Sequence, residues 1–296
     1  MSTTTPVTPL LTRLPASNCD IYKNPSTSAF TLSAFITVGI LISYLPQYRI
    51  IYRSRSSYGI SPYFLLLNNV SGFAALTNLI LLSLLSVPCC SVISGFECLN
   101  SQISLIQVAV QCFATFGITL CCLIFTDPER SHKENEVYQE IVAVFKNILA
   151  FIALTLVVII ACFFIDSESA IKTVAKLMGL FSTVTTLLQY FPQLQTTYHM
   201  KKTGALSIQM MCIQFPGGLL WAFTLILKPG SDWSSWLPYL SAALIQGILL
   251  LMSIYYDYIH GGGIDSDDED DFDGESRSAS GPLLRREGGV DVAIYT

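Results

Sequence analysis

The sequence predicts an all-α membrane protein: seven transmembrane helices, arranged as two parallel three-helix bundles joined by a linker helix in a 3+1+3 order. Three observations predict it. Hydrophobic residues make up 52 % of the 296 and charged residues only 12 %, against about 25 % charged in ordinary soluble domains. Several apolar runs reach the roughly 20 residues that cross a bilayer as a helix. The third observation is internal: an offset of 146 residues aligns two halves of the chain without a gap. Phe35 falls on Phe181, Thr37 on Thr183, Tyr44 on Tyr190, Pro46-Gln47 on Pro192-Gln193, Tyr52 on Tyr198, Ser61 on Ser207, Gly72 on Gly218 and Leu79-Ile80-Leu81 on Leu225-Ile226-Leu227. So many matches in one register are a repeat.

In lipid every backbone polar group must be paired within its own segment, so runs this long and apolar read as helices. Helix 1 is expected at Ala29–Tyr48, closed by Pro46-Gln47. Helix 2 is expected at Ser61–Val87 and helix 3 at Gln102–Phe125. A charged linker, 127–143, leads to helix 4 at Val144–Ile165. Helices 5, 6 and 7 are expected at Ile171–His199, Ser207–Leu227 and Trp236–Tyr258. The first repeat then covers 29–126 and the second 171–258. Two three-helix units joined directly would lie inverted; the extra crossing of helix 4 restores a parallel arrangement.

The ends are polar. Residues 1–28 are rich in Thr, Ser and Pro and lack the apolar core of a cleavable signal. From His260 onward there are ten acids and three arginines, a net charge of −7 out of −5 overall, which leaves the body near neutral. A stretch as acidic as 265–273 cannot bury enough apolar surface to fold, so 259–296 reads as a disordered tail. Lys and Arg are commoner beside the helix ends that share a side with the loop after helix 1, eight against five, which orients that loop and the C-terminus to the cytosol and the N-terminal arm to the exoplasm. Vacuolar, lysosomal or other endomembranes are the expected residence, the plasma membrane the alternative. Cys19, Cys89, Cys90 and Cys98 then share an oxidising side where disulfides form, with the pairing open. The bases are scattered, not striped, which excludes nucleic acid as a partner. Cysteine and histidine follow no metal-ligand spacing, and no cofactor is expected. No base sits beside a nucleophile within the membrane, so the chain is not read as an enzyme. The partners expected are the bilayer, a small-molecule solute, sorting machinery at the tail (Leu283-Leu284, without the upstream acid) and a second copy of the chain.

Tyr44-Leu45-Pro46-Gln47 followed by Gly59-Ile60-Ser61, and Tyr190-Phe191-Pro192-Gln193 followed by Thr203-Gly204-Ala205-Leu206-Ser207, resemble the PQ-loop motif. The resemblance covers 29–258, and the Ser61-to-Leu67 run resembles the family's fungal members. That family includes cystinosin-like amino-acid exporters, SWEET sugar facilitators and the KDEL receptor. The resemblance implies the seven-helix fold; it leaves the substrate open.

Proline inside a helix removes one backbone hydrogen bond and crowds the preceding turn. Pro46-Gln47 and Pro192-Gln193 therefore read as gate hinges or static kinks, their repetition favouring hinges. Phe215-Pro216-Gly217-Gly218 is expected to interrupt helix 6, and interrupted helices at matching positions point to a transport site. Asn68, Asn69, Asn78, Gln107, Gln111, Gln189, Gln214 and Gln246 are the expected substrate lining. The other reading is that such amides tie helices together. Gln107 and Gln111, at i and i+4, share a face. Trp221 offers its ring for stacking on solute or for packing. The cystinosin-like exporters carry a proton-accepting aspartate where this chain has Gln214, and the only Asp, Glu or His in the expected spans, His199 and Asp257, sit at the cytosolic ends of helices 5 and 7. That pattern points to facilitated movement of a neutral or zwitterionic solute, amino acids first and sugars second, by alternating access. The alternative is a non-transporting receptor or trafficking regulator on the same fold.

Overall fold

The computed structural model describes residues 19–55, 60–127, 132–165, 167–200 and 208–256. The acidic tail, the arm before residue 19 and the motif residues 203–207 lie outside these. Seven α-helices follow one another: α1 Thr27–Ser54, α2 Pro62–Ser86, α3 Gly95–Phe125, α4 His132–Phe163, α5 Glu168–Met200, α6 Ile208–Ile226 and α7 Trp233–Ile254, with no strand among the described residues. All but α6 are long and apolar enough to cross a membrane, and α6 contains a shorter apolar stretch, Gln214–Ile226. The chain is an all-α integral membrane protein.

Local chemistry sets the helix starts. Ser61 caps α2 by accepting from Phe64 N–H, with Pro62 in the first turn, where a missing N–H costs nothing. Ser94 and Glu97 form a reciprocal capping box at α3. Asp232 accepts from Ser234 N–H at α7. The end of α1 turns on Arg55, in the left-handed region at φ 50°.

α3 starts at Gly95 and not at the expected Gln102, since the capping box opens the helix earlier, and α7 starts at Trp233 and not Trp236. Three further differences concern α1, α4 and α6. α1 continues two turns beyond Pro46-Gln47, because loss of one hydrogen bond does not stop a helix whose following residues still pack: Ile51 is fully buried and Tyr48 donates to the Ala114 carbonyl (2.6 Å). α4 begins at His132, inside the expected linker, where Ile141 and Val144 turn into the core. The expected break in α6 is corrected: the helix runs through Pro216, Gly217 and Gly218 unbroken. Gly218 lies against Ala243 of α7, where an added Cβ would come within 3.2 Å of the Ala243 Cβ, so close packing supports the turn that the proline weakens.

The helix neighbours repeat. α1 and α2 both pack on α3, and α5 and α7 relate as α1 and α3 do, with α6 on α7; α4 lies against α2. One level of the bundle shows the correspondence. Thr37 donates back to the Ser33 carbonyl (2.8 Å) and its repeat mate Thr183 to the Gly179 carbonyl (2.9 Å). At that level Gln107 of α3 donates to the Ser33 carbonyl (2.9 Å), while Ser234 of α7 lies directly on Gly179. Between the halves, α2 packs closely along α5, whereas α1 and α6 barely meet. Large apolar side chains on α1 (Phe35, Leu41, Ile42, Leu45) and α4 (Leu154, Leu156, Val157, Ile160) face outward, as a lipid-facing surface requires.

One end of the bundle is stapled. Cys19–Cys89 ties the N-terminal arm to the 3-10 turn Val87–Ser91, and Cys90–Cys98 ties that turn to α3. We refer to this as the disulfide end and to the other as the Pro-Gln end.

Two outcomes follow from this packing. Gly179→Ala, which puts a methyl onto the Ser234 backbone, lowers the thermal unfolding temperature in detergent by several degrees, whereas Gly217→Ala, with open space around it, leaves it unchanged or slightly raised because alanine is the better helix former by about 1 kcal/mol. Equal behaviour of the two variants would contradict the close α5–α7 approach. In the unreduced, denatured chain a thiol reagent labels Cys112, Cys121, Cys122, Cys162 and Cys212 and not the other four; mass spectrometry finds Cys19 linked to Cys89 and Cys90 to Cys98.

Candidate functional site

At the seam of α2, α3, α5 and α7 the helices leave a cavity of about 70 Å³. Its wall is polar on three sides. Asn68 and Ser71 come from α2, Gln111 and Thr115 from α3, Ser182, Thr186 and Gln189 from α5, and Tyr239 from α7, with Tyr190 beside Gln189. No acid, lysine, arginine or histidine lines it among the described residues. A space of this size holds a few waters and is well below the roughly 300 Å³ of a typical ligand pocket.

The seam beside the cavity is held by hydroxyls. Ser71 Oγ lies 3.0 Å from Ser182 Oγ and 2.6 Å from Thr186 Oγ1, and Ser182 Oγ donates to the Ser71 carbonyl (3.0 Å). One to two turns away, Asn78 Nδ2 donates to the Ala175 carbonyl (2.6 Å) and to Ser234 Oγ (2.8 Å), joining α2, α5 and α7 at one point.

The expected lining residues divide. Asn68, Gln111 and Gln189 are brought together on the cavity. Gln246 stands beside it, donating to Tyr190 Oη (3.1 Å). Asn69, fully buried, donates to the Leu65 carbonyl (2.8 Å) and Thr119 Oγ1 (3.0 Å), fastening α2 to α3. Asn78 and Gln107 are fully buried in the helix–helix bonds already described. Gln214 is half-buried on α6, outside the cavity wall. Trp221 is buried with its ring 4.4 Å from that of Tyr239, so it backs a wall residue and does not itself line the space. Of the hinge residues, Pro46, Pro192 and Pro216 lie within unbroken helices. Gln47 is buried, its Oε1 without a protein partner among the described residues; Gln193 lies one residue past Pro192 in α5, and Gly217 and Gly218 lie in α6 beside Pro216.

Sequence reasoning passed over the tyrosines. Tyr44 of α1 stands within interaction range of the Gln111 amide of α3, and its repeat mate Tyr190 of α5 accepts a hydrogen bond from Gln246 of α7. Each half thus sets a tyrosine, two residues before its Pro-Gln pair, against a glutamine of its third helix. The register that aligned Tyr44 with Tyr190 was the available signal. The glutamines escape it because they sit at different offsets.

Comparison with known proteins adds the following. The family model described as PQ loop repeat matches residues 28–87 and 174–234. An uncharacterized protein of Schizosaccharomyces pombe (strain 972 / ATCC 24843) is 29 % identical over 252 residues, covering 77 % of this chain and 80 % of its own. No solved structure matches.

The hydroxyl clasp has a measurable consequence. A double-mutant cycle of Ser71→Ala and Thr186→Val yields a coupling of about 0.6 kcal/mol, with a ceiling near 1.7, the range for hydrogen bonds between membrane helices. Additive single effects in thermal unfolding would mean the two hydroxyls do not interact.

Proposed function

We propose that this chain, a membrane protein of the PQ-loop family carrying two PQ-loop repeats, moves small neutral or zwitterionic solutes across its membrane, amino acids first and sugars second. The observation that carries the reading is the cavity at the seam between the repeats, walled by amides, hydroxyls and tyrosines without a fixed charge. Such a wall can exchange hydrogen bonds with a polar solute as hydration is shed. Proton-coupled carriers rely on buried acids or histidines, so movement here is passive. The close α2–α5 seam and the sparse α1–α6 contact suit rocking of one repeat on the other about the hydroxyl clasp. In that motion the Tyr44–Gln111 and Tyr190–Gln246 pairs would brace the first and third helix of each repeat, and Pro46 and Pro192 would yield. We place the disulfide end in a lumen or outside the cell, where cystines persist, and the Pro-Gln end in the cytosol. The compartment we propose is a vacuolar or other endomembrane.

A second reading, a receptor or trafficking regulator that transports nothing, draws on the smallness of the cavity and the bonds across its seam. The two part in one experiment. The purified chain in proteoliposomes equilibrates at least one neutral or zwitterionic solute from a panel of amino acids and sugars. Gln111→Leu slows it about tenfold or more, equivalent to roughly 1.4 kcal/mol, while the variant inserts and melts normally. An imposed proton gradient leaves the rate unchanged; acceleration would remove the passive mechanism, and no flux of any solute would leave the receptor reading.

A further inference from the structure

A second polar pocket, also of about 70 Å³, lies at the disulfide end between α2, α3 and the α6–α7 loop. Lys228, two residues past the end of α6, is half-buried in its wall. Lysine in such a place is ordinarily met by a carboxylate, since burying a cation is costly unless it is paired. The other lysines of this end obey that rule: Lys23 pairs with Asp20 (2.7 Å), Lys172 with Glu168 (2.5 Å) and Lys176 with Asp232 (3.4 Å). Lys228 has no carboxylate partner among the described residues. Its Nζ donates to one neutral acceptor, Ser104 Oγ, at 2.9 Å.

The hydroxyls around it sharpen the chemistry. Ser83 donates to the Ile80 carbonyl, Ser86 to that of Ser83, Ser101 to that of Cys98 and Ser235 to that of Asp232. Their hydrogens are committed, and three of their oxygens are engaged as well: Gln102 Nε2 donates to Ser86 Oγ and Ser101 Oγ (3.1 Å each), and Ser231 Oγ lies 3.4 Å from Ser235 Oγ. Ser104 differs: it accepts from Lys228, and among the described residues it donates to nothing. The Lys228 ammonium and the Ser104 hydroxyl are therefore donors of this wall with hydrogens left for a guest. The pocket is also roofed. Gly230, at φ 75°, lies so close to Tyr22 that an added Cβ would stand 2.8 Å from Tyr22 Oη, and Tyr22 is held three residues from the Cys19–Cys89 bridge.

We propose that this pocket binds a carboxylate group, held between the Lys228 ammonium and the Ser104 hydroxyl, as an outer docking site for the transported solute. As a carboxylate site it stands on its own geometry; its place on a solute's route rests on the transport reading above. It selects amino acids over sugars, because only the former carry a carboxylate to meet Lys228. Burial pulls the Lys228 ammonium down to about 7, so the charge that attracts a carboxylate is present below that pH and lost above it. Tyr22 is the other titratable side chain in the pocket wall. Tyr22 is pushed up by burial and remains neutral, the charge of Lys172 acts on it from beyond the wall, α2 and α3 contribute no acid to the lining, and Asp232 is engaged by Lys176.

The test uses the full chain in detergent and propionate as the probe, with propionamide as its uncharged match, read as the concentration dependence of the unfolding temperature. Propionate raises it at pH 6 and propionamide does not. The apparent affinity falls about thirtyfold by pH 8.5, as one group titrating near 7 requires. Lys228→Met abolishes the shift, and Ser104→Ala weakens it. A full propionate shift in Lys228→Met, or equal shifts from propionate and propionamide, overturns the site. A carboxylate could also reach Lys228 from a lipid headgroup. Nanodiscs of phosphatidylserine that cancel the propionate shift, where phosphatidylcholine does not, would assign the pocket to lipid and overturn the solute role. Liposome flux separates the two proposals: alanine flux unaffected by Lys228→Met, with no propionate shift, removes the pocket and leaves transport standing. A propionate shift without flux of any solute removes transport and leaves a carboxylate-binding receptor.

Discussion

A polar side chain in hydrocarbon has no water to fall back on, and the seam between α2 and α5 is where this chain answers that constraint most fully. Ser71, Ser182 and Thr186 bond to one another and to backbone carbonyls, and Asn78 reaches the Ala175 carbonyl and Ser234 at once. Each bond is worth little by itself, on the order of 0.6 kcal/mol. Their alternative is an unpaired buried group, which costs more. The seam is therefore specified as well as packed: sliding α2 past α5 would strand several donors together. The cavity lies beside this line.

The duplication is not expressed symmetrically. Within each half the same helices meet, and the Thr37 and Thr183 back-bonds coincide. Between halves one of the two equivalent seams is closely bonded and the other is nearly open. The halves are thus joined along one tight line, α2 on α5, with a loose line, α1 against α6, at the equivalent place. The Tyr–Gln pairs keep each half coherent internally, since Tyr44 spans α1 to α3 and Tyr190 spans α5 to α7.

The amides show how far side-chain chemistry can be read before helices are placed. Asn68 and Asn69 are neighbours in sequence and about 100° apart around the helix. One faces the cavity and the other faces Thr119 of α3. Gln107 and Gln111 do share a face of α3, yet they differ by one turn in height: the lower bonds the Ser33 carbonyl and the upper meets Tyr44 and the cavity. Both readings of an intramembrane amide, lining and tie, are thus realised within single dipeptides and single turns. What decides between them is the neighbour that happens to stand opposite.

Alone, the sequence determined the all-α membrane class, the 146-residue repeat and the approximate reach of α1, α2, α5 and α7. These are written in local terms: apolar length and a pattern that recurs along the chain. It misjudged α6, because the weakening by Pro216 and two glycines is local while the packing of Gly218 on Ala243 is not. The Cys19–Cys89 and Cys90–Cys98 pairing, the choice of which amides reach the cavity, and the lack of a carboxylate partner for Lys228 among the described residues were decided only by tertiary structure. Each depends on which side chains from separate helices come within about 3 Å of one another, and that distance is set by helix–helix packing across the bundle, for which no one-dimensional spacing supplies a value.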